Sequence, residues 1–325
     1  MILDIVFLSV GLALLFGGGD ALVRGAAALA RHLGISALVV GLTVVAFGTS
    51  APELAVNILA ALQNKDQIAF GNIVGSNIAN IALILGLSAL IRPLTVDFVL
   101  IAREIPMMFL ASVAALAMSL DRFLDKSPDT ISRSDGSLLL LFFCIFLYYT
   151  VNDARKQRAA EHSLIELEQI PAVKEGRPLV WAGALTVLGL ACVVLGGHLT
   201  VKGAVALAER LGVSQTIIGL TIVAVGTSLP ELATSLMAAR RGQSDIAIGN
   251  IIGSNIFNLL FILGISVTIS PISVPPGGHI DLIVMTGLSV FLLPLAISDE
   301  GRIVRVEGAV LLGAYFVYTT CRVLL

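Results

Sequence analysis

Two glutamates, Glu53 and Glu231, stand inside runs otherwise built from apolar and small residues. Carboxylates at such depth require a functional or structural reason. Each closes the same motif, Gly48-Thr49-Ser50-Ala51-Pro52-Glu53 and Gly226-Thr227-Ser228-Leu229-Pro230-Glu231. Thr49 and Glu53 are four residues apart and share a helix face, as do Thr227 and Glu231. Ser76 and Asn80 in GSNIAN, and Ser254 and Asn258 in GSNIFN, repeat that spacing. Pro52 and Pro230 lack an N–H and clash with the carbonyl four residues back, so a helix is expected to break in each motif. Carbonyls freed by such a break need a partner within the membrane, and those of Ala46 and Ala224 are the candidates. The set is hard oxygen throughout, with neither sulfur nor imidazole. It suits Ca²⁺, which takes about 6–8 oxygens, and it also serves Na⁺. Two carboxylates balance one Ca²⁺; without it they repel, so Na⁺ or a proton must take its place. That requirement favours exchange over uniport.

These residues recur because the chain repeats itself. Residues 41–88 return at 219–266 with a constant offset of 178 and no gap, and 28 of the 48 aligned positions are identical. The chain is therefore two homologous halves. A single GTS or GSN triplet is as readily a helix packing contact, and one buried glutamate a structural acceptor; it is the recurrence that singles them out. Gly71, Gly75, Gly249 and Gly253 leave room for close helix contact beside the polar groups.

Composition sets the class. Of 325 residues, 57% are apolar and 13% charged, with a mean hydropathy of +0.98, against roughly 25% charged in a soluble chain. This is a multi-spanning membrane protein, and no nucleic-acid signature is present. Cys144, Cys192 and Cys321 lie far apart in apolar runs and are expected to fill core space; they suit neither a disulfide framework nor a metal cluster. No cofactor is expected, and no catalytic residue. No cleavable signal peptide is expected, because the first segment has no basic n-region.

Ten spans are expected, at 2–30, 36–62, 67–90, 99–119, 136–151, 179–208, 214–239, 246–270, 280–297 and 304–324. Asn64-Lys65-Asp66 and Gly242-Gln243-Ser244-Asp245 are tight turns. The halves are 1–151 and 179–325, joined by a hydrophilic linker at 152–178 that could fold as a short amphipathic helix. With the N-terminus outside, twelve basic residues face inward (Arg31, Arg92, Arg103, Arg155, Lys156, Arg158, Lys174, Arg177, Arg240, Arg241, Arg302 and Arg305) against six facing outward (Lys65, Arg122, Lys126, Arg133, Arg210 and Arg322). The bias puts both termini outside and the linker in the cytoplasm. Five helices per half is an odd number, so the second half enters the membrane from the opposite face. Inverted repeats belong to alternating-access carriers, whose substrate sits near the midplane between the repeats. A channel would be expected to show a carbonyl filter or a ring of acids, and neither is visible.

Other polar residues carry less. Asn72 and Asn250 are read as braces for the broken helices, and Asn57, replaced by Ser235, as a weaker candidate. Arg103 and Glu104 read as interfacial anchors, and His32 and His279 as loop residues. Asp20 aligns with His198, which argues against a shared role.

The GTS-x-PE and GSN-x-x-N signatures resemble the alpha repeats of the calcium/cation antiporter superfamily, in its sodium/calcium exchanger branch, and the likeness extends over nearly the whole chain, as in small prokaryotic members. The resemblance implies an all-α fold of ten helices in two inverted five-helix repeats, and exchange of Ca²⁺ against Na⁺ at four central sites in a prokaryotic plasma (inner) membrane. It implies that Glu53 and Glu231 take Ca²⁺ directly. Thr49, Ser50, Ser76, Thr227, Ser228 and Ser254, with the Ala46 and Ala224 carbonyls, would complete the shells, and Asn80 and Asn258 would lie at the centre. It also implies that the first and sixth helices slide over the rest, for which Gly11, Gly17, Gly18, Gly19, Gly25, Gly189, Gly196, Gly197 and Gly203 could give smooth surfaces. Some sodium/calcium exchangers carry an aspartate where this chain has Asn258, which lowers the expectation of K⁺ dependence and leaves H⁺ open as the driving ion. A Ca²⁺/H⁺ antiporter of the same fold is the alternative. The short linker has no room for calcium-sensing domains, and a protomer holding both repeats is expected to work as a monomer.

Overall fold

The computed structural model describes residues 1–124, 128–168, 178–212 and 224–324. Lys126, Lys174, Arg177, part of the linker and residues 214–223 of the expected seventh span lie outside the described residues. The chain is almost wholly helical, as its long apolar runs require where no water can satisfy the backbone. The helices are α1 (Ile2–Leu33), α2 (Ala37–Thr49), α3 (Ala51–Leu62), α4 (Asp66–Ile91), α5 (Leu100–Met118), α6 (Arg133–Glu168), α7 (Leu179–Arg210), α8 (Leu229–Arg240), α9 (Ser244–Ile269), α10 (Gly278–Gly301) and α11 (Arg305–Leu324). Among the described residues seven of these are long and apolar enough to cross a membrane, and the bent pair α2–α3 makes an eighth. Of the ten spans expected, the seventh falls partly outside the described residues, and the tenth is the twenty-residue α11, which is not among the eight.

Local chemistry ends each element. Gly34, at φ 64°, closes α1, its N–H meeting the Ala30 and Arg31 carbonyls, and the Ser36 hydroxyl caps α2 by accepting from the Val39 N–H. Asn64 (φ 52°) and Gly242 (φ 72°) make the two expected turns in left-handed backbone. The linker does not begin where the fifth apolar run ends: α6 continues to Glu168, because Ala, Lys, Gln, Arg, Glu and Leu beyond residue 152 are strong helix formers. Two short antiparallel clasps join connections between the helices, β1 (Leu94–Thr95) with β4 (Arg302–Ile303) and β2 (Thr130–Ile131) with β3 (Ile272–Ser273).

α4 and α9 form the centre, with 78% and 94% of their most apolar stretches buried, whereas α1 and α7 bury only 28%. The motif helices thus lie inside, and α1 and α7 form the periphery. These two zip together antiparallel on glycines spaced seven apart. A Cβ at Gly11 would meet Thr200, at Gly18 Val193 and at Gly25 Thr186; Gly189 faces Leu22, Gly196 Leu15 and Gly203 Leu8, all at 2.4–2.8 Å from backbone nitrogen. The two sets correspond under the offset of 178, so the homologous helices pack about an internal two-fold relation. The glycines therefore divide. Six form a tight seam within the pair; Gly19 and Gly197 turn instead toward Ala233 and Pro230 of α8, and Gly17 meets nothing within 4 Å among the described residues.

Several minor expectations are corrected. Cys144 and Cys321 are exposed on the outer surface of the bundle, and only Cys192 is partly covered, against Gly18. Glu104 is fully buried and held by Arg103, which also pairs with Asp153 of α6. His32 and His279 lie in terminal helical turns, not loops, with His279 Nε2 2.8 Å from the Ser119 carbonyl. Asp20 pairs with Arg24 and with Arg241 beyond the end of α8. Because the Arg241 side chain is 37% exposed, replacing it with Gln should lower stability by less than about 1 kcal/mol, read as a near-unchanged melting point in detergent.

Candidate functional site

The break in each motif falls at its serine. Ser50 has φ −83° and ψ 6°, and Ser228 φ −87° and ψ 5°, where helical geometry lapses. The chain bends by 45° between α2 and α3. Pro52 and Pro230 then occupy the first turn of the following helix, where a missing N–H costs nothing. Glu53 and Glu231 therefore sit at helix N-termini, where the macrodipole favours negative charge. Both are 1% exposed.

The motifs are interleaved, not side by side. The Ser50 hydroxyl donates to Glu231 Oε1 at 2.9 Å, and the Ser228 hydroxyl to Glu53 Oε1 at 3.4 Å. Ser254 Oγ adds a 3.5 Å contact to Glu231 Oε1. Thr49 Oγ1 lies 3.0 Å from Asn250 Oδ1, and Thr227 Oγ1 lies 3.1 Å from Asn72 Oδ1. Every one of these bonds joins residues of opposite halves except that of Ser254.

The asparagines brace the break. Asn72 and Asn250 each donate to the backbone carbonyl of their own half's glutamate at 3.4 Å, and Asn57 does so to the Glu53 carbonyl at 2.8 Å. At the Asn57 position of the second half Ser235 accepts from Asn250 at 3.0 Å. The break does not free the Ala46 carbonyl as expected: it accepts from the Ser50 N–H at 3.0 Å and from Thr49 Oγ1 at 3.3 Å, so a cation meeting it would have to displace the threonine hydroxyl. Ala224 opens the single helical turn Ala224–Gly226 before the second break.

Asn80 and Asn258 lie in segments the sequence reading did not foresee. Both are the second residue of a π-helical turn, Ala79–Leu85 in α4 and Phe257–Ile262 in α9, which re-aims side chains by widening the helix. Asn80 Nδ2 donates to Asn255 Oδ1 at 3.0 Å. Asn77 and Asn255 were missed as well, although they are identical between the repeats. Among the described residues Glu53 Oε2, Glu231 Oε2, Ser76 Oγ, Asn80 Oδ1 and both side-chain polar atoms of Asn258 are buried with no hydrogen-bond partner. Buried oxygens cost free energy unless something satisfies them, and a cation is the partner that two carboxylates and several hydroxyls favour. No group of three or more His, Cys, Asp or Glu side chains that could hold a metal ion gathers among the described residues.

Known proteins share this arrangement of chain. The family model described as "Sodium/calcium exchanger protein" matches residues 3–152 and 181–324. CaxA of Alkalimonas amylolytica is 40% identical over 323 residues, covering 98% of both chains. Sodium/calcium exchanger MaX1 of Methanosarcina acetivorans is 34% identical over 342 residues, covering 97% of both. A solved structure of the sodium-calcium exchanger NCX_Mj superposes with a TM-score of 0.83 at 33% identity, covering 98% of both chains. With its broken motif helices, interleaved carboxylates and end-to-end match, this multi-pass membrane protein belongs to the sodium/calcium exchanger family.

Proposed function

We propose that this chain is a secondary antiporter that exchanges Ca²⁺ for Na⁺ across a prokaryotic inner membrane by alternating access. The observation that carries the reading is the reciprocal bonding of Ser50 to Glu231 and Ser228 to Glu53. Neither half completes the site alone, so a relative movement of the halves changes the ligand shell. In this reading Glu53 and Glu231 take Ca²⁺ directly. Thr49, Ser50, Ser76, Thr227, Ser228 and Ser254 supply hydroxyls, Asn80 and Asn258 supply amide oxygens, and Ala46 and Ala224 supply carbonyls. Na⁺ occupies the same oxygens when Ca²⁺ leaves.

The accompanying architecture is ten spans in two inverted five-helix repeats, 1–151 and 179–325, with 152–178 as the cytoplasmic linker, both termini outside and the protomer as the working unit. The antiparallel packing of α1 on its homologue α7 supports inversion. So does the swapped pairing of the clasps, in which the strand after α4 joins the one after α10 and the strand after α9 joins the one before α6.

Uptake of radiolabelled Ca²⁺ into Na⁺-loaded proteoliposomes at equal pH tests the coupling. Uptake should require internal Na⁺. Uptake that ignores Na⁺ and follows an imposed pH gradient would make the protein a Ca²⁺/H⁺ antiporter, and flux without any counter-ion would make it a channel.

A further inference from the structure

Asn80 and Asn258 occupy equivalent places in the two halves, yet their surroundings differ. Asn80 Nδ2 donates to Asn255 Oδ1 at 3.0 Å, and Asn255 Nδ2 donates in turn to Met108 Sδ at 3.4 Å. All three residues are 1% exposed or less. A thioether sulfur can only accept. It therefore draws the NH₂ end of Asn255 toward α5 and leaves the Asn255 oxygen facing Asn80. That oxygen claims the NH₂ end of Asn80, and Asn80 Oδ1 remains buried with no hydrogen-bond partner among the described residues. Among the described residues no such chain reaches Asn258. The position equivalent to Met108 is Thr286, whose hydroxyl donates to the Leu282 carbonyl at 2.8 Å. The position equivalent to Asn255 is Asn77, whose Nδ2 turns back to the Ile73 carbonyl at 2.7 Å.

We propose that Met108 and Asn255 are positioning residues for cation exchange: acting through two successive hydrogen bonds, they hold the Asn80 carboxamide with its oxygen, and not its nitrogen, free to meet the cation. The two ends of a carboxamide are nearly equal in size, so packing alone does not choose between them; the hydrogen-bond chain does. To a cation they are opposites, since the oxygen attracts it and the NH₂ repels it. Asn80 is thus set before the ion arrives, whereas Asn258 takes its orientation from the ion. The inference rests on the reading of Asn80 as a ligand.

The test uses the full chain purified in detergent, with Ca²⁺ binding followed by titration calorimetry and ion-free stability by thermal unfolding. Met108→Leu keeps the volume and removes the acceptor. It should raise the Kd for Ca²⁺ about threefold with an unchanged melting point, and Asn255→Leu should raise it about tenfold, at the low end for partners that orient metal ligands. Asn80→Ala has no carboxamide to orient. Adding Met108→Leu to Asn80→Ala should change the Kd no further. An unchanged Kd in Met108→Leu, or an equal loss in the Asn80→Ala background, overturns the relay while leaving the ligand reading intact. Wild-type Ca²⁺ and Na⁺ binding in Asn80→Ala itself overturns the ligand reading, and the relay with it.

Discussion

Glu53→Gln is expected to abolish Na⁺-driven Ca²⁺ uptake while the protein folds as before, and Glu231→Gln to do the same. Glutamine keeps the shape of the side chain and an oxygen able to accept from Ser228, now 3.4 Å from Glu53 Oε1. What it removes is one of two charges set against a divalent ion in a site from which water is excluded. Losing one member of a buried charge pair costs about 2–5 kcal/mol, which weakens Ca²⁺ binding by roughly 30-fold to several thousand-fold. Ion-free stability should move the other way or not at all, because a neutral amide ends the repulsion between Glu53 and Glu231. Ca²⁺ at about 100 times its Kd stabilises the wild type by about 2.7 kcal/mol, and the rise in melting point that follows should disappear in either variant. Wild-type Ca²⁺ affinity in both variants would remove the glutamates from the site.

The second large effect lies outside the site. Gly189→Ala should destabilise the protein by about 1–3 kcal/mol, as forced overpacking does, and combination with Gly18→Ala should cost more than either alone. The new methyl at 189 would stand 2.4 Å from the Leu22 nitrogen and 2.7 Å from its Cα. These are backbone atoms that no rotamer change can move aside, so α1 and α7 must separate along the whole seam. In lipid such a seam is held by close packing of small residues and not by a hydrophobic drive. Gly17→Ala, one position before Gly18 but with nothing within 4 Å among the described residues, should stay within about 0.5 kcal/mol of wild type. Thermal unfolding in detergent reads both. A Gly189→Ala melting point equal to that of Gly17→Ala would mean the seam yields without cost.

The contrast between these glycines shows where sequence reading stops. A period of seven in Gly11, Gly18 and Gly25 is visible in the chain, and so is its repetition at Gly189, Gly196 and Gly203. The period does not name the partner. Read as smooth surfaces, all nine glycines are alike; in the fold six of them bind α1 to α7, and Gly19 and Gly197 face α8. The π-helical turns at Asn80 and Asn258 are equally silent, because α4 and α9 are buried on nearly all sides and have no polar face in which a change of register would show. Asn77 and Asn255 were legible, since the repeats align them as identical residues.

Sequence by itself determined the membrane class, the two homologous halves, the carboxylates and hydroxyls that recur between them, and the helix breaks at the GTS-x-PE motifs. All of these depend on composition, on identity at a constant offset, or on the conformational limits of proline, which act within a few residues. Tertiary structure alone decided which hydroxyl serves which glutamate. Spacing pairs Thr49 with Glu53 on one helix, but in the fold Ser50 reaches Glu231 and Ser228 reaches Glu53. The reason is physical: a buried carboxylate takes the donor that packing brings within hydrogen-bond distance, and two interleaved helix breaks bring the donor from the opposite half.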